Sequence, residues 1–324
     1  MGTIQTKLTD MLGIEHPILL APMGSAAGGK LAAAVTNAGG LGMIGSGYAD
    51  PELVQREMLA AGNTPVGVGM ILWALEANPS VLASVLANKP AAIMLSFGDA
   101  APHASQIKSA GTPLIFQAQT LEGAIAAAEA GADIIVAQGR EAGGHAGTTR
   151  GAMGLVPAVV DAVGPLIPVV AAGGIADGRG LAAALTLGAS GVLMGTRFAT
   201  SAESLWSDAM KQRVVASSGD DTQQTRVFDI VRDAPWPAHY PGRAIRNDFS
   251  ERWHGDESGL MADRTNLEKA FMAAPNDDVD TRAVWAGEGA DLIKDAPSAA
   301  EIIDTVIEEA LAALRQSVGY IRSS

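Results

Sequence analysis

The sequence predicts an α/β chain folded as a (β/α)8 TIM barrel that carries an added, mainly helical module. Three observations predict it. Eight short segments are apolar throughout instead of alternating, the pattern of strands buried on both faces. Ala-rich helical stretches separate them, so that strand and helix recur about every 20 to 30 residues, as βα units do. After Phe198 this regularity stops, and Trp, Tyr, Pro and Arg arrive together.

In chain order the candidate strands are Ile18–Met23, Gly40–Ile44, Val66–Met70, Ala91–Ser96, Pro113–Gln117, Asp133–Gln138, Pro168–Ala171 and Gly191–Met194. Between them lie the helical stretches Lys30–Ala38, Pro51–Ala61, Pro79–Ala87, Leu121–Ala130 and Gly178–Leu187, several of which run into a Gly, a common helix terminator. A doubly wound sheet would need a G-x-G-x-x-G turn directly after the first strand. The nearest match, Gly42-Met43-Ile44-Gly45-Ser46-Gly47, has the wrong spacing and follows the second strand. Residues 205–275, with Trp206, Trp236, Tyr240, Phe249 and Trp253 among prolines, read as an insertion over the barrel mouth. Their aromatics are as readily a small core as a pocket lining. The barrel then comprises 1–204 and 276–324. In its last part Ser298 caps a helix whose Ile302, Ile303, Val306, Ile307 and Ala310 share one face, expected to pack back on the barrel. The opposite face, with Glu301, Asp304, Glu308 and Glu309, reads as solvated surface.

Composition bounds the function. Of 324 residues, 48% are hydrophobic and 18% charged, which excludes wholesale disorder. A net charge of −13 opposes a sequence-independent grip on nucleic acid or on an anionic membrane, leaving a small molecule as the expected partner. The absence of Cys removes disulfides, thiolate nucleophiles and iron–sulfur clusters. No apolar run reaches the ~18 residues of a membrane span, and no basic-then-apolar leader opens the chain. A soluble, unprocessed, cytoplasmic protein is expected, of unassigned oligomeric state. Glycine stands out: 38 residues, where average usage near 7% would give fewer.

A barrel of this kind places its active site at the C-terminal ends of the strands. Strand one leaves through Ala21-Pro22-Met23-Gly24-Ser25, small residues on which a flat ring could lie. Strands seven and eight leave through Ala171-Ala172-Gly173-Gly174-Ile175 and Met194-Gly195-Thr196-Arg197, paired exits of the type that cradles a phosphate on backbone N–H groups. Strand six runs into Gln138-Gly139-Arg140-Glu141-Ala142-Gly143-Gly144-His145-Ala146-Gly147, the densest polar and glycine cluster in the chain. A lone His is most often structural. On a glycine-rich loop at the catalytic end, with a side chain that titrates near neutrality, His145 is the candidate for proton transfer. No second His or carboxylate sits at metal-ligand spacing from it, so no metal centre is expected.

With these stretches, and with Gln117-Ala118-Gln119-Thr120 at strand five, the sequence resembles the nitronate monooxygenases, formerly 2-nitropropane dioxygenases, over residues 15 to about 200. Asp221-Thr222-Gln223-Gln224-Thr225-Arg226-Val227-Phe228-Asp229 is loosely similar to the family's substrate-side module. The resemblance implies FMN, its phosphate on Gly173, Gly174, Gly195 and Thr196. The ring would lie on Ala21, Pro22 and Met23, reached by Gln117 and Gln138 and approached past Gly143 and Gly144. It implies His145 as catalytic base, a nitro compound or nitronate with O2 as co-substrates, and a carbonyl compound with nitrite as products. Some relatives carry Lys where this chain has Gln117, which changes the charge beside the ring. Glu141-Ala142-Gly143-Gly144-His145 also resembles flavin-type enoyl-acyl-carrier-protein reductases and NAD(P)H:quinone reductases, so reductase chemistry is the alternative that the resemblance implies.

Overall fold

A computed structural model of the chain describes residues 2–321; residues 1 and 322–324, assigned to the barrel from sequence, lie outside the described residues. Eight parallel strands form the barrel: β1 (Ile18–Leu20), β2 (Met43–Gly45), β3 (Gly67–Ile71), β4 (Ile93–Ser96), β5 (Leu114–Ala118), β6 (Ile134–Gln138), β8 (Val169–Ala172) and β9 (Gly191–Met194). They are hydrogen-bonded in the order β1-β9-β8-β6-β5-β4-β3-β2. A single parallel bridge, Leu19 to Leu41, closes the ring between β1 and β2. Each predicted strand overlaps one of these.

The strands read as continuous apolar runs because both of their faces are buried. Leu19, Met43, Met94, Ile115, Ile134, Val136, Val170 and Leu193 point inward and pack together inside the ring. Their neighbours Ile18, Leu20, Ile44, Ile93, Leu95, Leu114, Ile135 and Val192 point outward under the helices. Leu8, on the N-terminal helix Lys7–Leu12, plugs the inner cluster from the end opposite the strand exits. The sequence reading did not single out that helix. The C-terminal helix Ala299–Val318 starts at a Ser298–Glu301 capping box, then lays Ile302, Ile303, Val306, Ile307 and Ala310 on the outer core. A β-carbon on Gly178 would stand 2.3 Å from the Ala310 nitrogen, which is how closely this helix meets Gly178–Thr186. Glu309, on the solvated face, also accepts from the Gly178 N–H at 2.9 Å, capping that neighbouring helix.

Above the strand exits, β10 (Thr222–Thr225), β11 (Gly242–Ile245) and β7 (Gly144–His145) form a small antiparallel sheet in the order β10-β11-β7. Its third strand comes from the loop after β6: Gly242 pairs with His145 and Arg243 with Gly144. Five helices accompany it, Asp208–Val215, Val227–Val231, Asp248–Trp253, Glu257–Ala262 and Arg264–Ala273. Val227, Phe228, Val231, Ala244, Leu260 and Phe271 give the last four of these helices a core of their own, while Val214 of Asp208–Val215 packs with Trp206, Ala199 and Ile245.

One substitution tests the packing account. Gly154 lies exposed within the helix Ala152–Val163, and a β-carbon there would meet nothing within 4 Å. Gly154→Ala is expected to stabilise the protein by about 0.5–1 kcal/mol by removing backbone freedom from the unfolded chain. Thermal denaturation checks this; a lower midpoint in the variant contradicts it.

Candidate active site

A cavity of about 370 Å³ opens where the barrel strands end, and every site residue expected from sequence lines it. Its floor is the exit of β1. A β-carbon on Gly69 would stand 2.2 Å from the Pro22 ring, and one on Gly45 would stand 2.4 Å from the Met23 carbonyl carbon. Strands two and three therefore carry glycine where Met23 and Pro22 press against them.

One side of the cavity is a row of backbone donors. Gly173 (φ 103°) and Gly174 (φ 70°) hold the left-handed conformations that turn their N–H groups out of the strand ladder. Gly195 and Thr196 begin the short helix Thr196–Ala199. No acceptor among the described residues engages the N–H of any of the four. Thr196 is also fixed by its hydroxyl, which accepts from the Gly287 N–H at 3.1 Å. Backbone donors left free in this way along a cavity suit an anion. Two buried side-chain groups on the cavity wall, Ser46 Oγ and Trp206 Nε1, also lack a partner among the described residues.

The opposite side presents His145. Its Nε2 lies 2.9 Å from Asp229 Oδ2, and its ring stacks on Trp236 with centroids 3.5 Å apart and planes within 5°. Trp285 touches the same ring at 5.2 Å. Asp229 Oδ1 accepts from Arg232 Nη2 at 3.0 Å. Trp236 in turn donates through Nε1 to the Tyr48 hydroxyl at 3.2 Å, tying the upper segment to the exit of β2. Beside Trp236, burial pushes the Tyr240 hydroxyl above the usual phenol range. On β11, burial lowers the Arg243 guanidinium, opposed by Glu288 at 2.8 Å.

Two expected residues have a second engagement. Gln138 faces the cavity, but its Nε2 donates to the His145 carbonyl at 3.2 Å and its Oε1 accepts from Gln119 at 2.9 Å, so it also braces the loop. Gly143 has no room for a side chain because the Gly287 nitrogen passes 2.6 Å from where its β-carbon would be. Gln117 is buried, lines the cavity and makes no side-chain hydrogen bond among the described residues.

Sequence reasoning missed part of the lining. Ser46 and Phe97 sit just past β2 and β4, where the strand-exit rule applied to every strand would have found them; Phe97 even takes φ 61°, rare for a bulky residue. Arg232, Trp236 and Trp285 gave no such signal. Trp253, equally prominent in the sequence, packs into the small upper core instead.

Against known proteins, the family profile described as nitronate monooxygenase matches residues 5–309. The chain belongs to the nitronate monooxygenase family. As a member of it, the chain is an oxidoreductase. A nitronate monooxygenase-family relative, "Probable nitronate monooxygenase" of Staphylococcus aureus (strain Newman), is 31% identical over 367 aligned positions, covering 98% of this chain and 99% of that protein. The "(3aS,4S,5R,7aS)-5-hydroxy-7a-methyl-1-oxo-octahydro-1H-indene-4-carboxyl-CoA dehydrogenase" of Rhodococcus jostii (strain RHA1) is 35% identical over 274 residues, covering 83% of this chain and 74% of that one. Among solved structures, FabK from Thermotoga maritima superposes with a TM-score of 0.86 at 33% identity, over 98% of this chain and 100% of that one. Among the described residues no helix is long and apolar enough to cross a membrane.

Proposed function

We propose that this chain binds FMN and oxidises alkyl nitronates, and neutral nitroalkanes after proton removal, with O2 to a carbonyl compound and nitrite. The observation that carries this reading is a histidine braced on one wall of a cavity whose other wall is a row of free backbone N–H donors.

The residues present suit the cofactor. Gly173, Gly174, Gly195 and Thr196 would hold the phosphate, neutralising it with backbone dipoles in a chain that is otherwise acidic. Ala21, Pro22 and Met23 would carry the ring, and Gln117, Gln138, Ser46 Oγ and Trp206 Nε1 would meet its polar edge. When bound, FMN supplies the electron-transfer and O2 chemistry. The chain supplies position and a base. Gly143 and Gly144 leave the approach clear, and His145 takes the α-proton of a neutral nitroalkane. A preformed nitronate has already lost that proton and needs the base less. In this reading residues 205–275 form the lid, with Trp236 covering the base and shielding it from water.

The similarity to FabK favours reductase chemistry as the second reading. One preparation separates the two. The purified protein is expected to be yellow, with a flavin spectrum and faster O2 uptake with a nitronate than with NAD(P)H. A colourless protein overturns both readings. Rapid anaerobic bleaching by NAD(P)H, without nitronate-dependent O2 uptake, moves the assignment to a reductase.

A further inference from the structure

We infer that Asp229 is a positioning residue for His145, holding its imidazole as the Nε2–H tautomer so that Nδ1 is the nitrogen that takes the substrate proton. The inference rests on His145 acting as the base.

An ionised carboxylate only accepts hydrogen bonds, so a partner 2.9 Å from Oδ2 must present a hydrogen, and that places the ring proton on Nε2. The side chains are 5% exposed at Asp229 and 10% at His145, too little for water to take over either role. Nδ1 makes no hydrogen bond among the described residues, and the ring lines the cavity. The carboxylate is itself held. Arg232 Nη2 donates to its second oxygen, and Arg232 Nε donates to the Phe228 carbonyl at 2.7 Å, which locks the guanidinium to the helix Val227–Val231. Trp236 fixes the remaining freedom, because a ring stacked at 3.5 Å cannot turn without losing that face.

The proton step then balances within these groups. The α C–H bond of the nitroalkane breaks, its proton forms an N–H bond at Nδ1, and the electron pair left on carbon delocalises into the nitro group as the nitronate. The imidazolium so formed keeps its Nε2–H bond to a negative partner, a charge-assisted hydrogen bond. Other charges act less directly. Arg232 also lines the cavity, its Nη2 paired with Asp229 Oδ1; Trp236, Trp285 and the Gln138 amide, the other groups packed on the residue, are uncharged. Arg243, adjacent in β11, is paired with Glu288.

The test uses histidine-labelled protein, with and without FMN, followed by nitrogen NMR, with His145→Asn to assign the signal. In the unmutated chain His145 is expected to carry its neutral-state proton on Nε2. In Asp229→Asn, whose amide can donate as well as accept, the neutral ring is expected to populate both tautomers. In turnover, D229N is expected to lose about 100-fold more on a neutral nitroalkane than on its nitronate. A proton on Nδ1 in the unmutated chain overturns the inference, and that measurement holds even if D229N loses its near-ultraviolet circular dichroism. Equal losses on both substrates, or an unchanged tautomer in D229N, also overturn it. If His145→Asn discriminates between the substrates and D229N does not, only the positioning role falls. If His145→Asn itself does not discriminate, the base assignment is what fails.

Discussion

Replacing His145 with Asn is expected to lower kcat/KM for a neutral nitroalkane about 1,000-fold while costing a preformed nitronate no more than about 10-fold, the range a positioned acid–base group supplies. The asymmetry follows from where the barrier lies. Only the neutral substrate must lose an α-proton, and among the residues lining the cavity His145 is the side chain braced as a base, by Asp229 on one nitrogen and Trp236 on one face. Asn preserves much of the volume and can still reach Asp229, so the change removes the proton acceptor more than the packing. Paired O2-uptake measurements on one nitroalkane and its nitronate check it. Equal losses on the two would remove His145 as the α-proton base.

Gly173→Ala is expected to weaken FMN binding by about 100-fold or more. At φ 103° an L side chain is strained by about 1–3 kcal/mol, and the new β-carbon would stand 3.0 Å from the Gly139 carbonyl oxygen. The loop can relieve both only by turning the N–H groups of Gly173 and Gly174 away from the cavity. Gly111→Ala separates this from general destabilisation: Gly111 also has a positive φ, 71°, but lies outside the cavity lining with nothing within 4 Å. Fluorescence titration of the stripped proteins with FMN should show G111A binding like the parent and G173A not. Equal affinities for the two would disprove the cradle.

The barrel was legible because its strands are buried twice over. Ile18, Leu19 and Leu20 serve different layers, yet all three must be apolar, so the strand appears in the sequence as an unbroken run. The cradle was legible because free N–H groups at a strand exit call for glycine, and Gly173-Gly174 and Gly195 recur at the same place in successive βα units. What escaped was set by long-range pairing. Asp229 stands 84 residues from His145, and nothing in its surroundings separates it from the other acids of that stretch. β7 is two residues long, with no periodicity to detect, and exists only because Gly242 and Arg243 lie beside it. Trp236 lies between Pro235 and Pro237, and Trp253 between Arg252 and His254 at the end of a helix. Neither setting says in sequence which ring meets His145 and which a small core; that is decided by tertiary placement.

The pairing of β7 with β11 bears on how such enzymes exchange specificity. The strand that carries His145 is hydrogen-bonded in register to the segment that covers it, so neither is an independent part. Transplanting 205–275 into another barrel would leave Gly242 and Arg243 as a bare sheet edge and the host histidine without its register. A working chimera must take the loop after β6 in the same exchange. The two segments, distant in sequence, act as one cassette.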